Sequence, residues 1–189
     1  RSRVDPRVDR ALADLARNHP DIVQYDSALG MLRFASDLTF DSGSDVVKEG
    51  ALRSLTALAD VLKTIGLGYD IDIVGHTDSQ QPGARTRERG HLTNVHLSVH
   101  RAISVRNTLR NLGVAPSKMR ASGWGEYRPI VANSTTGGTQ VNRRVEIYLT
   151  RSLATGSVFE GAPAQTLQSN DPIDRQGVTP VRPTVDVTK

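Results

Sequence analysis

Residues 46–65 form a broad amphipathic pattern that hands over to a strand pattern within a few residues, and this sharply limits the folds open to the chain. Ala51, Leu52, Leu55, Leu58, Ala59, Leu62 and Ile65 recur at three- and four-residue spacing, so one face of a helix is apolar. Gly66 stands where a helix usually ends, and Tyr69, Ile71 and Ile73 then alternate with Asp70 and Asp72. A helix and a half-buried strand joined so closely must pack against each other.

The same exchange recurs along the chain. A short helix is expected over 5–18, with Pro6 in its first turn and Pro20 beyond its end. Residues 22–34 alternate loosely around Asp26-Ser27 and read as a strand pair or one bent strand, followed by a polar loop over 37–45. After a polar stretch over 79–91, Thr93 or Asn94 caps a second long helix that Gly113 closes. Strands are expected over 118–122 and 142–150. The sum is an α/β two-layer sandwich, a mixed sheet with its helices on one face. Residues 1–34 form an N-terminal region, 35–150 the core, and 151–189 a tail in which Pro163, Pro172, Pro180 and Pro183 stand without apolar periodicity.

Composition narrows function by exclusion. The 24 Lys and Arg against 20 Asp and Glu give a formal charge of +4, with the two signs interspersed. A nucleic-acid binder would carry a basic stripe interleaved with aromatics, and only 4% of this chain is aromatic, so no nucleic-acid partner is expected. Cysteine is absent, which removes disulfides, thiolate nucleophiles and Cys-ligated metals. A serine hydrolase lacks its Gly-x-Ser-x-Gly turn. No apolar run has the length of a membrane span, so any membrane attachment is expected from a segment upstream of Arg1.

The densest polar constellation is Gly75-His76-Thr77-Asp78 at a strand end, with Asn94-x-x-Leu97-Ser98-x-x-Arg101-Ala102 at a helix start. Strand ends and helix N-termini collect ligands because unpaired amides and side chains converge there. Asp78 offers acceptors and Arg101 a fork of donors, so a zwitterion would fit between them. The alternative is that they pair with each other and merely fix helix to strand. A metal-dependent hydrolase is a rival reading, since His76, Asp78, His91, His96 and His100 are close in sequence and His96 and His100 are four residues apart. The Glu that follows the first His in the usual motif is missing. A protein-interaction module is a further alternative, suited to the basic 79–91 stretch and the tail.

Five motifs in register carry a resemblance. Phe40-Asp41-Ser42-Gly43-Ser44, Gly75-His76-Thr77-Asp78, Asn94-x-x-Leu97-Ser98-x-x-Arg101-Ala102-x-x-Val105, Gly123-x-Gly125-x-x-x-Pro129 and Asn142-Arg143-Arg144-Val145-Glu146 resemble the OmpA-like C-terminal family, in that family's order, over about residues 35–150. The resemblance implies a non-enzymatic domain without cofactor or metal. Its expected partner is peptidoglycan, gripped through the diaminopimelate of the stem peptide in the periplasm, at the outer or inner membrane of a Gram-negative-type envelope. It also admits a homodimer. It assigns the ligand's ammonium to Asp78, beside Thr77, and the adjacent carboxylate to Arg101. Asn94 and Leu97 fall in the pocket wall, and Arg144 is a second-tier binding residue. Strand parity puts Arg143 with Val145 and Ile147, and Arg144 with Glu146 and Tyr148. The connection from Asp78 to Asn94 is long for the family; it either passes over the cleft or faces solvent.

Overall fold

The computed structural model describes residues 4–152. In chain order the elements are α1 (Pro6–Asn18), β1 (Val23–Asp26), β2 (Met31–Ala35), α2 (Ser36–Thr39), α3 (Glu49–Thr64), β3 (Tyr69–His76), α4 (Ala84–Glu88), α5 (Asn94–Asn111), β4 (Met119–Gly125) and β5 (Arg144–Arg151). The five strands make one sheet in the order β1-β2-β5-β3-β4, in which only β3 and β4 are parallel. The last strand is therefore the central one, with antiparallel partners on both sides. This is the expected mixed sheet.

Alternation along the strands divides the sheet into two faces. Leu32 and Phe34, Ile71 and Ile73, and Val145, Ile147 and Leu149 are buried in one core with Leu55, Leu58 and Leu62 of α3 and Ala102, Val105 and Leu109 of α5. Helix α1 adds Val8, Leu12 and Leu15 to that core, and each such side chain contributes about 1.5–3 kcal/mol on burial. The stretch 1–34 thus supplies α1, β1 and most of β2 to the same sheet and core.

Several boundaries differ from expectation for local reasons. Helix α3 begins at Glu49, because Phe40 and Val47 form an isolated bridge that keeps the preceding residues extended. The polar loop after β2 opens with the single turn α2, and the 79–91 stretch contains α4. Strand β5 runs through Arg151, one residue into the stretch read as tail; residues 153–189 lie outside the described part. Among the described residues no helix is long and apolar enough to cross a membrane.

Two glycines set how closely α5 approaches the sheet. A Cβ at Gly75 would overlap the Ser98 carbonyl, and one at Gly123 would overlap the Ser98 hydroxyl and the Val99 amide. The Ser98 hydroxyl in turn accepts from the Gly125 amide at 3.0 Å and donates to the Val95 carbonyl at 2.8 Å. This close seat brings the first turns of α5 down onto the ends of β3 and β4, where the polar motifs lie.

Candidate functional site

The C-terminal end of β3, the start of α5 and the loop after α2 enclose a cleft of about 530 Å³. Asp78 and Arg101 both line it, each only 3% exposed. They do not form the mutual pair that was the alternative: Arg101 has no carboxylate within 4.0 Å among the described residues, and Asp78 pairs with Arg143. Arg143 Nη1 donates to Asp78 Oδ2 at 2.6 Å, and the Thr139 amide donates to the same oxygen at 2.8 Å. The Gln80 amide donates to Oδ1 at 3.2 Å. The carboxylate is thus fixed in place with acceptor capacity remaining on Oδ1.

Arg101 is held differently. Its Nε donates to the Ser44 carbonyl at 2.9 Å and Nη2 to the Asp41 carbonyl at 3.4 Å, whereas Nη1 makes no hydrogen bond within the described residues. The guanidinium carbon lies 5.1 Å from the centre of the Phe40 ring, in cation–π range. Burial is the main influence on this group and pushes its pKa down to about 10, against the opposing pull of Asp37. It stays charged at neutral pH. A buried guanidinium resting on carbonyls and a ring, with a donor unused, lacks its anion.

Thr77, Asn94 and Leu97 also line the cleft, and Arg144 does not. Thr77 is buried, and its hydroxyl has no hydrogen-bond partner among the described residues. Asn94 is buried and its Nδ2 donates to the Asp78 carbonyl at 3.3 Å, tying helix start to strand end. Leu97 supplies apolar wall one turn before Arg101. Arg144 is the correction. It lies on the opposite face of the sheet, outside the cleft, where its Nε donates to Glu146 Oε1 at 2.7 Å and its other nitrogens to the carbonyls of Asn142 and Arg128. Arg143 takes the cleft position, joined to Asp37 by a two-pronged ion pair (Nε to Oδ1 2.8 Å) as well as to Asp78. These bonds, foremost the one to Asp37, raise its pKa further.

Sequence reasoning therefore missed Arg143 and Asp37, although parity held the signal for the first. Arg143 precedes β5 on the face of Val145, and that is the helix-bearing face over which α5 begins. Asp37 carried no signal, because its meeting with Arg143 depends on α2 lying beside the start of β5. The long Asp78–Asn94 connection does reach the cleft: Gln80, Gln81, Pro82, Gly83 and Thr86 line it, while the charged Arg85, Arg87, Glu88 and Arg89 do not. Of the histidines, His76 faces the other side of the sheet, 3.3 Å from Glu146, and so stands apart from the rest.

Counting ionisable side chains around the cleft gives three acids (Asp37, Asp41, Asp78) and three bases (Lys48, Arg101, Arg143). The charges on the lining balance, and Arg101 is buried there without a carboxylate partner among the described residues, on a two-layer sheet-and-helix scaffold. The chain belongs to the OmpA family, whose model matches residues 39–143. It is 39% identical over 119 residues to the probable lipoprotein YiaD of Escherichia coli, covering 63% of this chain and 50% of that protein. It is 38% identical over 116 residues to outer membrane porin F of Pseudomonas fluorescens, covering 61% and 33%. The chain thus spans half or less of the length of these relatives. Among solved structures, the cell wall anchor of the T6SS from Pseudomonas aeruginosa superposes with a TM-score of 0.64 at 26% identity, over 78% of this chain and 99% of that one. A putative MotB-like protein from Desulfovibrio vulgaris gives 0.66 at 27%, over 77% and 90%.

Proposed function

We propose that this domain binds peptidoglycan reversibly in the periplasm, through the diaminopimelate of the stem peptide, and so ties a membrane component to the cell wall. The observation that carries the reading is Arg101, buried in the cleft without a carboxylate partner. The side-chain end of diaminopimelate is a zwitterion. Its carboxylate supplies the anion that Arg101 lacks, and its ammonium is received by Asp78, whose Oδ1 has a lone pair to spare. The unpartnered Thr77 hydroxyl adds a polar contact, and Leu97 and Phe40 pack the methylene chain. Every step is non-covalent, so no catalytic group is invoked. Relatives that include a probable lipoprotein and an outer membrane porin suit a wall-binding module carried by a membrane-attached protein.

Calorimetric titration with two stem peptides, one containing diaminopimelate and one containing lysine, tests the reading. The lysine peptide lacks the side-chain carboxylate and should bind at least ten-fold more weakly. Arg101→Ala and Asp78→Asn should each weaken the diaminopimelate peptide by about 2–5 kcal/mol, roughly 30-fold or more, with the far-UV spectrum unchanged. Equal binding of both peptides, or parental affinity in either variant, would overturn the assignment.

A further inference from the structure

Behind the cleft, three metal-ligating side chains from three separate segments converge. They are Asp45 of the loop before α3, His91 at the end of the Asp78–Asn94 connection, and His100 in the middle of α5. One donor atom from each lies within 4.8 Å of the other two. The Nδ1 atoms of His91 and His100 face each other at 2.8 Å, and His91 Nε2 lies 3.4 Å from Asp45 Oδ1. We propose that Asp45, His91 and His100 form a binding site for a divalent transition metal, Zn²⁺ in the first instance.

The donor set suits that ion. Imidazole and carboxylate are both zinc ligands, with bond lengths of about 2.0–2.2 Å, and three protein ligands leave a fourth position for water. A tetrahedral ion with such bonds holds its donors about 3.3 Å apart, so with a single nitrogen of His91 as ligand the 4.8 Å span must close by up to about 1.5 Å. His91 is buried, and its Nε2 faces the Asp45 carboxylate at 3.4 Å without forming a well-aligned hydrogen bond among the described residues. Burial also pushes the His91 pKa down, which favours the neutral, metal-competent ring. The Arg101 cation adjoins the site and opposes a second positive charge. Micromolar rather than nanomolar affinity is therefore expected.

The helical spacing of His96 and His100 pointed at the wrong pair. His96 is exposed, its Nδ1 lies 2.9 Å from the Thr93 hydroxyl, and its ring centre is 6.4 Å from that of His100. His100 meets His91 instead, a residue brought in by the long connection. That arrangement indicates a clamp rather than a catalyst. Asp45 follows Ser44, whose carbonyl holds Arg101, and His100 precedes Arg101, so a bound ion would tie the loop before α3, the long connection and α5 together next to Arg101.

The test uses the untagged full chain, stripped with a chelator and titrated with ZnCl₂ by calorimetry, with Co²⁺ absorption as a second readout. The parent should bind close to one equivalent, with visible bands of four-coordinate cobalt. Its unfolding midpoint should rise by roughly 5–10 °C with zinc at 100 times Kd. His100→Gln and Asp45→Asn keep polar groups in place and should each weaken zinc at least ten-fold and abolish the thermal shift. His96→Gln should behave as the parent. Absence of stoichiometric binding in the parent, affinity within three-fold of parental in either ligand variant, or loss in His96→Gln would overturn the site.

Discussion

Arg101 and Arg144 are both almost completely buried on the same sheet-and-helix scaffold, yet they end in opposite electrostatic conditions. Arg144 lies on the face away from the helices. Each of its guanidinium nitrogens has an acceptor, and one of them is the carboxylate of Glu146. Glu146 is engaged in turn by the Tyr148 hydroxyl at 2.6 Å and lies 3.3 Å from His76 and 3.6 Å from Arg33. Arg101 has two carbonyls, a ring and an unused nitrogen. Desolvating a charge is costly either way, and only one of the two sites recovers the cost from within the chain. Arg144 itself is fully matched, although Arg33 Nε and both His76 nitrogens beside Glu146 form no hydrogen bond among the described residues, whereas Arg101 keeps a donor unused. Two arginines of similar burial are told apart by what they lack.

The sharpest way to break the contrast is to open the closed network. Removing Glu146 strands a buried guanidinium, so Glu146→Ala should lower unfolding free energy by about 3–5 kcal/mol, read by urea denaturation. Binding of the diaminopimelate peptide by the folded fraction should be unchanged, because Glu146 lies across the sheet from the cleft. A variant of parental stability would show that the network carries little. A smaller effect is expected from the cleft side. Gly75→Ala drives a methyl group into the Ser98 carbonyl and should cost about 1–3 kcal/mol of stability. Here peptide affinity should fall as well, since α5 must lift and carry Arg101 away from Asp78. Unaltered affinity in that variant would mean that the helix-to-sheet distance does not set the site.

The same contrast explains what could be read from the residues alone. Helix α3 and strands β3 and β5 were legible because each carries its own period, and α5 because a Thr93 or Asn94 cap opens it and Gly113 closes it. Asp78 and Arg101 were legible because both sit in motifs at element ends, where ligands collect. Arg144 was misplaced and Arg143 overlooked for one reason. Neighbouring arginines point to opposite faces, and only the three-dimensional seat of α5 decides which face holds the cleft. Asp37 and Asp45 acquire their roles through contacts distant in sequence, which no local pattern encodes. The start of α3 slipped because apolar Val46 and Val47 continue the helical pattern, while a tertiary bridge to Phe40 keeps Val47 extended.

The smallest effect should be the most diagnostic of the closed network, because it depends on a proton. Burial alone would raise the Glu146 pKa, but the interactions from His76, Tyr148 and Arg144 outweigh it and hold the carboxyl well below the usual carboxylate range. Tyr148, half-buried and bonded to that carboxylate, is pushed up to about 12. A group whose folded pKa is depressed contributes stability that is fully present above its unfolded value, about 4.3 for Glu, and lost as pH falls towards the folded one. The stability gap between the parent and Glu146→Gln should therefore be widest near pH 6 and narrow steadily as the buffer is taken from pH 4 to pH 2. The gap between the parent and Arg101→Ala should narrow much less, for Arg101 has no carboxylate within ion-pair distance among the described residues and feels Asp37, Asp45 and Asp78 only at longer range. If the Glu146→Gln gap stays constant across that range, the carboxylate is not the network's anion, and the distinction between a filled and an unfilled arginine site loses its physical basis.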